Sequence, residues 1–106
     1  MKATIWHNPR CSKSREALAL LGQAGASVTV IEYLKQPPSR DELARLYARA
    51  GLAPRDAMRK DAPAVTSDAA ALDAMSTDPT LIERPVVETE KGVVIARPPE
   101  RVRDIL

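Results

Sequence analysis

The 106-residue sequence contains no phenylalanine, one tryptophan and two tyrosines. Its core must be built from Leu, Ile, Val, Ala and Met, and the aromatic platform on which unpaired bases stack is missing. There is one cysteine, Cys11, and one histidine, His7. A lone cysteine closes no internal disulfide, which excludes a disulfide-stapled scaffold. A closed structural zinc site takes about four Cys or His ligands, so no resident metal centre is expected. The amino end, MKATIWHNPR, lacks the apolar stretch of a signal peptide, and nothing approaches a membrane span. Charge of one sign is also scarce: 16 basic and 14 acidic residues leave a net +2. That is too little for a broad electrostatic footprint on nucleic acid or acidic lipid. Together these absences leave one cytoplasmic domain, residues 1–106, with no nucleic-acid or membrane partner.

The hydrophobic pattern supplies the elements. Ala3–Trp6 reads as a short strand ending in the polar loop His7-Asn8-Pro9-Arg10. Ala17, Leu18, Leu21 and Ala24 recur at helical spacing, predicting a helix over Ser12–Gln23 that stops before Gly25. Val28, Val30 and Ile31 suggest a second strand ending near Tyr33. Ser39-Arg40-Asp41-Glu42 is a capping-box pattern, opening a helix whose stripe is Leu43, Leu46, Tyr47 and Ala50 and whose end is Gly51. Short helices are expected around Arg55–Lys60 and Asp68–Ser76, and a helical turn at Leu81 and Ile82. Val86–Thr89 and Val93–Ala96 flank Lys91-Gly92 as a hairpin. Glu100–Leu106 reads as a closing helix. A strand–helix–strand start implies a parallel pair and the hairpin an antiparallel one. The expected fold is α/β and thioredoxin-like: a four-stranded mixed sheet flanked by helices, with a helical insertion in mid-chain.

Cys11 falls between a strand end and a helix start. Free N–H groups and the positive dipole end at that point favour a thiolate and can hold an oxyanion. Arg10, Lys13, Arg15 and His7 are close in sequence and add positive charge. A free cysteine is also often a small buried hydrophobe, but Asn8, Arg10, Ser12 and Lys13 do not resemble core. His7 taken alone reads as a hydrogen-bonding structural residue before it reads as a catalyst. Cys11-Ser12-Lys13-Ser14 is Cys-x-x-Ser, so dithiol exchange within the chain is unavailable. The position six beyond the cysteine is Ala17, where a phosphatase-type loop wants arginine. Any covalent intermediate on Cys11 must be resolved by a thiol from another molecule.

The run from Ile5 to Arg15, IWHNPRCSKSR, resembles the active-site segment of the glutaredoxin-dependent arsenate reductase family. Tyr33–Arg40, Met58–Asp61, Glu83–Val87 and Ala96–Pro98 continue the similarity in order along nearly the whole chain. The resemblance implies a cysteine that attacks arsenate to form a covalent thiol–arsenate adduct. Glutathione would serve as co-substrate, glutaredoxin would regenerate the enzyme, arsenite would leave, and no cofactor would be bound. By motif, the arginines that cradle the oxyanion fall on Arg59, Arg84 and Arg97. His7 matches a histidine held to keep the cysteine ionised, and Arg84-Pro85 matches a cis peptide bond. Arg40, Arg45, Arg49, Arg55, Arg101 and Arg103 read as solvated charge.

Two departures from the family stand out. The segment from Ala62 to Thr80 is shorter than in typical relatives by about two helical turns, and the carboxyl end stops soon after Ile105. Two other functions fit the same fold. A glutathione-dependent thiol transferase would use Cys11 without needing three arginines. A non-enzymatic transcriptional regulator would carry Cys-x-x-Cys and lack His-Asn-Pro, so Ser14 and His7 count against it.

Overall fold

The computed structural model describes residues 1–106. Strand β1 (Lys2–His7) leads through helix α1 (Ser12–Gln23) to β2 (Ser27–Glu32), and then comes α2 (Arg40–Ala50). Helix α3 (Asp68–Thr77) follows in the middle of the chain, and β3 (Val86–Thr89) and β4 (Gly92–Ile95) form the hairpin. The sheet order is β2-β1-β3-β4. Strand β1 pairs in parallel with β2, Ile5 opposite Val30, and antiparallel with β3, Ile5 opposite Val87. This is the four-stranded, mixed, thioredoxin-like sheet the sequence implies, with β1 at its centre.

Side chains alternate across a strand, so the sheet feeds two cores. Ala3, Ile5, Val87 and Val94 pack against Ala17 and Leu21 of α1 and against Val102 and Ile105. Trp6, Val86, Val93 and Ile95 lie in the other cluster, with Leu43, Leu46 and Tyr47 of α2 and Met75 of α3. Aliphatic residues fill the first cluster without any aromatic, as a sequence without phenylalanine requires.

Several expected details differ. Strand β2 ends at Glu32, and Tyr33 turns inward instead, only 2% exposed. Ser39 does cap α2, accepting from the Glu42 N–H at 3.1 Å, but the Glu42 carboxylate turns to Arg45 and the reciprocal bond is absent. The closing helix is a seven-residue 3₁₀ segment, Pro99–Ile105. Arg45 and Arg49, expected to be solvated, both bond Glu88 of β3 at 2.6 Å, tying α2 to the sheet. Arg45 first, and Arg49 after it, hold the Glu88 carboxyl below its ordinary range against the opposing effect of burial.

The most consequential difference lies at Arg55–Lys60. Only Pro54–Ala57 makes a helical turn, of 3₁₀ type, and Met58 is extended and bridges Ile82. Likewise a 3₁₀ turn at Pro79–Leu81 stops short of Ile82. The backbone N–H groups a longer helix would have used go elsewhere: Arg59 donates to the Leu81 carbonyl at 2.8 Å and Glu83 to the Ala57 carbonyl at 3.0 Å. This antiparallel clasp sets Arg59 beside Glu83 and Arg84.

Candidate active site

Cys11 is the N-cap residue of α1, with extended backbone (φ −93°, ψ 121°). Its own N–H donates to the Asn8 carbonyl and its carbonyl accepts from Arg15, each at 3.0 Å, so loop and helix share the residue. The thiol is 9% exposed. Burial alone pushes it up and is the largest single influence. The Ser14 N–H, the Arg97 guanidinium, the charge of Arg84 and the Lys13 N–H act the other way, and the net result lies below the ordinary thiol range. The cations that matter come from distant segments; Lys13 contributes its backbone, and Arg15 bonds the Pro9 carbonyl at 2.9 Å. Cys11 is therefore buried, as a small hydrophobe would be, but against amides and guanidiniums.

This arrangement has a measurable consequence. Thiolate absorbance or alkylation of Cys11 should show a midpoint below the free-thiol value of about 8.5. Arg97→Ala removes a cation that favours the charged form, so it should move that midpoint upward. A wild-type midpoint at or above the free value would contradict activation.

His7 is buried, and its Nδ1 is 2.6 Å from Ser14 Oγ, which also accepts from the Asn8 N–H at 3.0 Å. Burial lowers the imidazole pKa and Arg15 adds to this, with Glu32 opposing. His7 is consequently neutral near neutral pH and does not supply the positive charge its position in sequence suggested. It reaches the cysteine only through Ser14, the residue whose N–H faces the sulfur.

The three arginines, 38 positions apart from first to last, meet at one cleft. It measures about 260 Å³ and is lined by Arg59, Lys60, Asp61, Glu83, Arg84 and Arg97, with no apolar residue among them. Arg97 Nη1 lies 3.6 Å from Cys11 Sγ and donates to the Arg84 carbonyl at 3.1 Å. Arg84 Nη1 donates to Glu83 Oε1 at 3.1 Å, while its buried Nε has no partner. Arg59 Nε sits 3.2 Å from the exposed Asp61 carboxylate. The Arg84-Pro85 bond is cis, as the motif implied, and so is Arg97-Pro98, which was not anticipated. Beneath the site, the buried Tyr33 hydroxyl is surrounded by Asn8, Arg84, Cys11 and Arg59; burial pushes its pKa up. A second cleft, of about 420 Å³, opens on the other side of Arg59 under residues 62–65 and is remote from the sulfur's own contacts.

Sequence reasoning missed Glu83, Ser14 and Tyr33. All three fall inside the motif blocks that carry the family resemblance, which was the available signal. What the geometry offers chemically is an ionised sulfur at a helix amino end, with guanidiniums beside it. A tetrahedral oxyanion fits both, since the amides and the forked donors bind its oxygens.

The family model described as the ArsC family matches residues 6–105. An arsenate reductase of Rhizobium meliloti (strain 1021) is 47% identical over 115 residues, spanning 100% of this chain and 82% of the relative. An arsenate reductase of Escherichia coli (strain K12) is 39% identical over 112 residues, spanning 97% and 79%. Among solved structures, an arsenate reductase from Vibrio cholerae superimposes with a TM-score of 0.93 at 44% identity, covering 100% of this chain and 98% of that one.

Proposed function

The chain belongs to the ArsC family, and from that premise we propose that it is an arsenate reductase that uses glutathione and glutaredoxin as its thiol partners. The observation carrying this reading is the Arg97 guanidinium 3.6 Å from the Cys11 sulfur, in a cleft walled by Arg59 and Arg84. Arsenate near neutral pH is mainly the singly protonated dianion, and the attacking sulfur is itself anionic. In a site partly shielded from water their repulsion would be severe without fixed cations. The unpartnered Arg84 Nε and the forked Arg97 supply donors aimed at such oxygens.

Cys11 attacks arsenic and an oxygen leaves as water, giving a thiol–arsenate adduct still at the As(V) level. Reduction to As(III) then takes two electrons. The chain has one thiol, so it cannot supply them by closing a disulfide of its own. Two external thiols supply them by ending as one mixed disulfide: glutathione joins the arsenic, and a glutaredoxin thiol takes the glutathione sulfur. The electron pair stays on arsenic, arsenite departs and Cys11 is restored. His7 acts through Ser14, holding the loop whose N–H groups face the sulfur. A thiol transferase would use the same cysteine but would have no need of three arginines in one apolar-free cleft.

The purified chain should form arsenite from arsenate when glutathione and glutaredoxin are supplied together, and far less with either alone. Arsenite formation without any added thiol, or none with both, would overturn the proposal.

A further inference from the structure

One carboxylate stands inside the arginine cleft, and the proposed reaction gives it no role. Glu83 is 15% exposed at its side chain, and its backbone is pinned by the bond to Ala57. Its contacts run through Oε1, which accepts from Arg84 Nη1 at 3.1 Å and from the Arg84 N–H at 3.3 Å, with Arg97 Nε at 3.9 Å. Oε2 keeps its lone pairs for whatever enters. The other groups facing the cleft are cationic, apart from Asp61, which is 74% exposed and turned to Arg59. A cleft built only for charge would gain nothing from an acid there: Glu83 offsets part of the positive field and occupies donors an oxyanion could use.

An acid has a use if the ligand carries a proton. A carboxylate accepts a hydrogen bond from a protonated oxygen and repels an unprotonated one, and a site built around such a donor rejects the analogue that lacks it. We propose that Glu83 makes the cleft selective for monoprotonated tetrahedral dianions, hydrogenarsenate or hydrogenphosphate, over sulfate, which has equal charge and similar shape but no proton. This rests on the oxyanion reading of the cleft and adds to it the residue that chooses among oxyanions.

Phosphate and sulfate are the probes, because at mildly alkaline pH both are dianions and neither is reduced by thiols. Their binding is read as protection of Cys11 from alkylation in the intact chain. Phosphate should protect wild type at concentrations at least about tenfold lower than sulfate. Glu83→Gln keeps an Oε1 acceptor for Arg84 but removes the charge, so the ratio should collapse toward one, mainly by tighter sulfate binding. Asp73→Asn, which removes the same charge on α3 far from the cleft, should keep the wild-type ratio. Equal protection of wild type by both anions, protection by neither, or a parallel shift of both in Glu83→Gln would overturn the assignment. A parallel shift would mean that Glu83 only tunes the field or orients Arg84. Arsenite formation by the same preparations separates the two claims. Phosphate preference without arsenite sinks the reductase reading alone, and arsenite without the preference sinks the role of Glu83 alone.

Discussion

Replacing Cys11 by serine should abolish arsenate reduction, a loss of at least about a thousandfold, while the protein stays folded. A hydroxyl has no ionised form near neutral pH, so the helix-end amides, Arg97 and Arg84 would have no anion to stabilise. Serine is close in size and is among the favoured N-cap residues, so α1 should begin where it does now. Arsenite release measured beside a thermal melt by circular dichroism checks both halves. Residual activity within tenfold of wild type would place the nucleophile elsewhere, and Cys11 is the only thiol in the chain.

Removing the arginine that touches that sulfur should cost nearly as much. Arg97→Ala is expected to lower arsenate reduction by about a hundred- to a thousandfold, the range seen when one donor to a developing oxyanion is deleted. Its effect on folding should be about 1 kcal/mol, because the only other bond lost is the one to the Arg84 carbonyl. Lysine at the same place should restore part of the rate. A point charge reproduces the field but not the planar fork that bonds carbonyl and oxyanion together. Full rescue by lysine would show that charge alone suffices.

The elements that carry the cysteine were legible in the sequence because each has a local cause. Helical spacing from Ala17 to Ala24, ended by Gly25 (φ 79°), fixed α1 at Ser12–Gln23. Lys91-Gly92 between two β-branched runs fixed the hairpin. What could not be read were contacts made by residues distant in sequence. Arg55–Lys60 looks helical by itself, and only the Ala57–Glu83 and Arg59–Leu81 bonds straighten it. Glu83 looks like surface acid until that clasp lays it between Arg84 and Arg97. Arg45 and Arg49 look solvated because Glu88 lies about forty positions away. His7 misled by being close in sequence to Cys11, since charge depends on burial, and burial comes from packing. The choice of Arg59, Arg84 and Arg97 from so many arginines came from motif resemblance; composition alone could not have made it.

The central claim is that those three arginines, and not arginines in general, serve the chemistry at Cys11. Its most direct test is the rate of arsenite release by Arg59→Ala, Arg84→Ala and Arg97→Ala beside Arg40→Ala and Arg103→Ala, with glutathione and glutaredoxin in excess. Arg40 pairs with Asp73 away from the cleft, and Arg103 lies on the closing 3₁₀ segment. The account predicts large losses for the first three, Arg97 foremost, and near wild-type rates for the other two. Equal losses across all five folded variants would contradict it.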